Sequence, residues 1–153
     1  MSLKKVNVLG YAKENNQFVV KAQNFDVRIS KNYKFPELEG PSPLEYILAG
    51  YAGCINAVGK LVAKEHGIVL KSLQVELSAK LSLDKYQGKI SDERAGFQSI
   101  EVLVKPTSDA TTEQLNAWLN EVENRCSVQD NLVNPTPVSV VLFNQTQAFE
   151  AAY

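Results

Sequence analysis

The 153 residues hold 16 Lys and Arg against 17 Asp and Glu, a formal net charge of -1, with 44% hydrophobic and 22% charged residues. This is the mixture of a single globular domain spanning 1–153, not of a disordered or fibrous chain, and it lacks the basic surplus that nucleic-acid binding needs. No apolar signal segment precedes Val6-Asn7-Val8 and no apolar run is expected to reach membrane-spanning length, so a soluble cytoplasmic protein is expected, with no nucleic-acid and no membrane partner.

The chain opens on short strand patterns. Val6 and Val8 alternate with polar residues, Phe18 to Val20 follow a turn at Glu14-Asn15-Asn16, and Phe25, Val27 and Ile29 alternate again after Gln23-Asn24. Spacing this tight predicts an antiparallel meander. Pro36, Gly40, Pro41 and Pro43 then punctuate a loop.

Ser42-Pro43-Leu44-Glu45 begins a helix sharply. A serine at the cap, proline at the first helical position and glutamate at the third form a capping box, in which the serine oxygen and the carboxylate each take a backbone amide. The helix is expected to run to Glu65-His66, with Gly67 as its left-handed cap. Ile47, Leu48, Tyr51, Ile55, Val58 and Leu61 make it apolar almost all round, the mark of a long buried helix. Ala49, Gly53 and Ala57 form a small-residue row beside Gly50 and Cys54. Glycine weakens a helix, so the row predicts a close approach by a second helix, from this chain or from a partner subunit.

Leu73, Val75, Leu77, Ala79, Leu81 and Leu83 alternate with polar residues and predict a strand with one buried face. Asp84 to Gly96 reads as a mobile loop, and Ile100, Val102 and Val104 as a strand ended by Pro106. A second, amphipathic helix is expected from Asp109 or Thr111, with Thr111-x-x-Gln114 as its capping box. Its apolar stripe of Leu115, Trp118, Leu119 and Val122 continues to Cys126. Pro135 and Pro137 lead into an expected last strand, Val138 to Phe143, and the tail from Gln145 has no pattern. The predicted class is α+β: antiparallel sheets around a long buried central helix and a second amphipathic helix.

Few chemistries fit this inventory. The one histidine, His66, sits where a helix C-terminus favours it, and no close-spaced ligand pair suggests zinc. No glycine-rich phosphate loop, dinucleotide fingerprint or nucleophile elbow is present. No metal and no cofactor is expected. Cys54 and Cys126 remain, each on an apolar helix face. Two ordinary buried thiols are one reading; a redox pair is the other, if the helices bring the Cα atoms within roughly 7 Å. Burial makes a thiol inert, and Cys54 lies too deep in its helix for the N-terminal dipole to help, so a reactive Cys54 needs a cationic neighbour.

The run Gly40-Pro41-Ser42-Pro43-Leu44-Glu45-Tyr46-Ile47-Leu48-Ala49-Gly50-Tyr51-Ala52-Gly53-Cys54 resembles the first cysteine helix of the osmotically inducible protein C (OsmC) and organic hydroperoxide resistance (Ohr) family. Asn124-Arg125-Cys126-Ser127-Val128, with Pro137-Val138-Ser139-Val140 after it, resembles the second cysteine motif and closing strand of that family. The resemblance covers about Phe25 to Phe143. It implies an intertwined homodimer with active sites at the interface. It implies a thiol peroxidase in which Cys54 attacks an organic hydroperoxide, Cys126 closes a disulfide, and a dithiol reductant such as a lipoylated protein resets the pair. In the family a glutamate and an arginine support the thiolate, which makes Glu45 and Arg28 the further catalytic candidates here. The pattern departs at both. Leu44 occupies the glutamate's usual place ten residues before the cysteine, and Glu45, one place late, also fits the capping box. The stretch Tyr11 to Gln23 has no arginine, so Arg28 is first choice by order, although strand alternation sets it opposite Phe25, Val27 and Ile29; Arg94 is second. The other class of function is a non-catalytic dimeric scaffold that binds a small apolar ligand at its interface.

Overall fold

The computed structural model describes residues 3–12, 17–29 and 39–143. The expected turn at Glu14-Asn15-Asn16, the loop around Pro36 and the tail from Gln145 lie outside the described residues. Eight elements are described: β1 (Leu9–Ala12), β2 (Phe18–Ala22), β3 (Phe25–Ile29), α1 (Pro43–Glu65), β4 (Leu70–Leu81), β5 (Phe97–Ser108), α2 (Thr112–Arg125) and α3 (Ser127–Val133). The fold is α+β with antiparallel sheets and three helices.

The first sheet is the expected meander, in the order β1-β2-β3. Gln23 and Asn24 make its tight turn, with Gln23 at a φ of 55°. Val6 and Val8 fall outside β1, because register decides how far a strand can extend. Leu9 pairs with Lys21, so Val8 would face the last residue of β2 and Val6 would face the turn.

The Ser42 hydroxyl accepts from the Glu45 amide at 3.2 Å, and the Glu45 carboxylate accepts from the Ser42 amide at 2.7 Å. At the other end of α1, Gly67 takes a φ of 67° and the Ile68 amide reaches back to the Ala63 carbonyl, closing the helix as a glycine cap does. Tyr51, Ile55, Gly59, Val62 and Ala63 form the buried face. By length and composition α1 is apolar enough to cross a membrane, contrary to the sequence expectation; core helices share this property, and here its buried face joins the core of the chain.

Within one chain, α1 is less covered than its apolar sequence leads one to expect. It is not buried all round: Ala49, Gly50, Gly53 and Ala57 are exposed, as are Ile47 and Leu61. The described residues of this chain do not supply the neighbour expected at the small-residue row: nothing among them would touch a Cβ on Gly50 or Gly53 within 4 Å. The close approach is one turn and a half further on. At Gly59 a Cβ would stand 3.0 Å from the Trp118 ring, whose Nε1–H donates to the Gly59 carbonyl at 2.8 Å.

β4 and β5 form a long antiparallel pair, from Leu70 opposite Ser108 to Leu81 opposite Phe97. Their alternation sets Leu73, Val75, Leu77, Ile100, Val102 and Val104 toward the helices and the polar residues outward. Pro106 does not end β5; it pairs with Leu73 inside the strand. Among the described residues β5 has one partner strand, and on an edge the proline's missing amide costs no ladder bond.

α2 starts at the expected box: the Gln114 amide donates to the Thr111 hydroxyl, and the Gln114 side chain accepts from the Thr111 amide. Trp118 and Val122 are 1% exposed and fill the space between α1 and the sheet. Cys126 continues this buried surface but not the helix. It is extended, with ψ at 104°, and forms the break between α2 and α3. The expected strand from Val138 to Phe143 is absent: 134–143 carries no regular structure, and Val138, Val140 and Leu142 are more than four-fifths exposed. A strand exists only where a neighbour takes its amides and carbonyls, and no strand among the described residues pairs with this segment.

Candidate active site

Cys54 sits on α1 one residue before the buried Ile55 and is half-buried. Cys126, in the break after α2, is 1% exposed. The two sulfurs stand 2.8 Å apart, with the Cys126 thiol placed to donate to the Cys54 sulfur. The break in the helix explains how they meet. An extended residue lets Cys126 turn toward α1 while α3 starts again behind it. There its sulfur acts as the N-cap acceptor for the Gln129 amide, at 3.5 Å.

Burial pushes the Cys126 thiol up, the hydrogen bond to Cys54 adds to this, and the Gln129 amide opposes it. Cys126 is therefore held as the neutral thiol at neutral pH. Tyr51, three residues before Cys54, donates its hydroxyl to the Gln129 side-chain oxygen at 2.8 Å. Its phenol is pushed up, first by burial and then by the negative charge that Cys126, Glu123 and Cys54 can carry. Tyr51 and Gln129 escaped sequence reading. The signal was present, since Tyr51 lies three residues before Cys54 on one helix face and Gln129 lies three residues after Cys126, where an N-cap side chain takes the backbone amide.

The remaining candidates are placed differently. Glu45 lies nine residues before Cys54 on α1, about 13 Å along the axis, and its carboxylate closes the capping box. Arg28 stands in β3 opposite Val19, exposed; its carbonyl accepts from the Tyr46 hydroxyl at 2.6 Å, which ties β3 to the first turns of α1. A Cβ on Gly40 would overlap that same carbonyl, so a glycine is required there. Arg125, next to Cys126, turns away and pairs with Glu65 at 2.5 and 3.2 Å. Arg94 lines a cavity of about 400 Å³ together with Leu44, Ile47, Tyr51, Phe97, Ile100 and Gln129, and among the described residues it is the one charged residue of the lining. Neither cysteine lines it, but Tyr51 and Gln129, which do, stand beside the thiol pair. Among the described residues no cluster of three or more His, Cys, Asp or Glu side chains could hold a metal.

The model of the OsmC-like protein family matches residues 36–141, which includes both cysteines. The chain belongs to that family. No curated protein matches its sequence. Among solved structures, an OsmC-like protein from Mycoplasma pneumoniae is similar at a TM-score of 0.75 and 19% identity, covering 86% of this chain and 89% of the other. A hypothetical protein from Aquifex aeolicus gives 0.68 at 14% identity, covering 88% and 91%. The organic hydroperoxide resistance protein OhrB of Bacillus subtilis gives 0.57 at 20% identity, covering 88% and 94%. At these identities the likeness establishes the OsmC-like fold, and the chemistry has to be argued from the chain's own residues.

Proposed function

We propose that this OsmC-like chain is a thiol-dependent organic hydroperoxide reductase that uses Cys54 and Cys126. The observation that carries the reading is the 2.8 Å separation of the two sulfurs, reached across 72 residues of sequence. The asymmetry of the pair supports the order of events. Cys54 is the more accessible sulfur, and the buried Cys126 keeps its proton. The Cys54 thiolate attacks one peroxide oxygen; the O–O bond breaks, the alcohol leaves with a proton, and Cys54 becomes a sulfenic acid. The Cys126 sulfur then attacks Cys54, water leaves, and a disulfide joins the two. A dithiol such as a lipoylated protein takes the disulfide back to two thiols and is itself oxidised. The site needs no cofactor.

An arginine is the remaining requirement, because a guanidinium near the sulfur offsets the burial cost of a thiolate. Arg28 is proposed for this role on the family resemblance, and the Tyr46 hydrogen bond ties its strand to the first turns of α1, eight residues before Cys54. Arg94, on the cavity wall, is the reserve. Arg28→Ala is expected to slow Cys54 oxidation at least tenfold, about 1.4 kcal/mol of barrier, in stopped-flow runs from pH 6 to 9. Unchanged rates in both Arg28→Ala and Arg94→Ala would remove the physical basis of the peroxidase reading.

The cavity itself favours a second reading, a non-catalytic dimeric scaffold that holds a small apolar ligand. Chromatography of cumene hydroperoxide in the presence of a dithiol separates the two. Catalytic loss of peroxide that disappears in Cys54→Ser supports the reductase. Peroxide left intact, with both thiols unmodified by mass spectrometry, supports the scaffold.

A further inference from the structure

Cys54 and Cys126 are not the only link between α1 and α3. Tyr51 and Cys54 are three residues apart on α1, while Cys126 caps α3 and Gln129 lies three residues into it. The Tyr51 hydroxyl meets the Gln129 side chain at 2.8 Å, and the Gln129 amide meets the Cys126 sulfur at 3.5 Å. The sulfurs and the phenol–amide pair thus form two rungs of one ladder between the same elements. α3 is short, and none of its residues is fully buried, so little apolar packing fixes its position. Only Val128 among its residues leans on the core. A hydrogen bond from a buried phenol, 8% exposed, is then a large share of what holds Cys126 over Cys54.

We propose that Tyr51 and Gln129 are positioning residues that set the effective concentration of the Cys126 sulfur at Cys54. This role needs no contact with the peroxide. Their hydrogen bond fixes the spacing and angle of α3 against α1, so that disulfide closure needs only the sulfurs to move from 2.8 Å to bonding distance, roughly 2.05 Å. Without it α3 swings, and closing the disulfide must first restrict that motion. The ring of Tyr51 would still fill its place in the core; what is lost is the register of the thiols.

The inference rests on the thiol-pair reading, and its test avoids peroxide so that the two can fail separately. The full chain is equilibrated in glutathione buffers of varied composition, quenched with acid and counted by mass spectrometry. Two thiols of the chain lose two electrons and two protons to glutathione disulfide, which becomes two molecules of reduced glutathione. In Tyr51→Phe and in Gln129→Leu the midpoint is expected to shift about tenfold toward more oxidising buffer, which is about 30 mV for this two-electron couple. Gln129→Glu keeps an acceptor for the phenol and should recover most of the shift. The double variant Tyr51→Phe/Gln129→Leu should lose no more than either single one, because both remove the same bond. Tyr51→Phe keeps the buried ring and decides the question if Gln129→Leu does not fold.

Midpoints within twofold of the unaltered chain in Tyr51→Phe would overturn the proposal, as would a double variant whose two losses add. So would an unaltered chain that forms no Cys54–Cys126 disulfide at any ratio. If the midpoint shifts while no peroxide is consumed, the positioning role stands and the reductase reading falls. If peroxide is consumed and the midpoint stays, the positioning role falls alone.

Discussion

Gly59 works through what it lacks. Its bare Cα lets the Trp118 ring lie against α1, and its carbonyl receives the indole N–H, so one contact joins an apolar surface to a satisfied polar group. Trp118 is 1% exposed and is held against the helix by that hydrogen bond. Gly59→Ala should therefore cost about 1–3 kcal/mol through overpacking, outweighing the roughly 1 kcal/mol that alanine gains as a helix former. Chemical denaturation measures the balance, and a more stable variant would mean that the ring can shift. Cys126 and Tyr51 set a second expectation, in pH. Burial raises both groups from their ordinary values of 9.0 and 10.0, so the folded chain holds these protons more tightly than the unfolded one. Their contribution is fully present below about pH 9 and is lost as pH climbs toward the raised folded values. Urea midpoints under reductant should fall from pH 9 to 10.5. The fall should be shallower in Cys126→Ala, measured against its own value at pH 7. Parallel curves for the two proteins would mean that the buried thiol does not titrate with unfolding.

The helix starts were the most legible part of the fold, because a cap depends on residues three apart and on little else. Both boxes, Ser42 with Glu45 and Thr111 with Gln114, close as their sequences require. Thr111→Ala removes one amide acceptor and should lower stability by about 1 kcal/mol, read as a shift in the urea midpoint at constant slope. A change below 0.3 kcal/mol would show that water replaces the hydroxyl at no cost. Alternation told equally well which face of β4 and β5 turns inward. Harder were features settled by distant partners. The extent of β1 follows from where β2 ends, and Pro106 stays in its strand because no described strand pairs along that edge. The pattern of 138–143 is strand-like, yet no described strand pairs with it. Cys126 sat on the right apolar stripe for the wrong reason, since periodicity cannot see a helix that breaks and restarts within one buried surface. Both cysteines stood out in the sequence, but their contact required a tertiary fold, and so did the hydrogen bond between Tyr51 and Gln129 beside them.

Taken as one subunit, the chain leaves too much apolar surface in water. Val138, Val140 and Leu142 are exposed along a segment with strand spacing, and Phe25 is 72% exposed at the edge of the first sheet. The outer face of α1 adds Ala49, Gly50, Gly53 and Ala57, flanked by the exposed Ile47 and Leu61. Isolated exposed apolar residues are ordinary, but a smooth helix face between apolar flanks and a run of exposed apolar residues at strand spacing are surfaces that a partner covers. The occupant proposed is a second copy of this chain. A small-residue face allows two identical helices to approach closely about a two-fold axis, where each copy presents the same surface to the other. Light scattering at micromolar concentration should then give about twice the 16.9 kDa of one chain. Gly53 is exposed and nothing among the described residues lies within 4 Å of a Cβ added there, so Gly53→Leu is expected to leave the fold of the single chain intact. Between two subunits the same side chain prevents approach, and the variant should run as a folded monomer with unchanged far-ultraviolet circular dichroism. A dimer that persists in Gly53→Leu would place the interface elsewhere, and an unaltered chain of 16.9 kDa in solution would dismiss the dimer altogether.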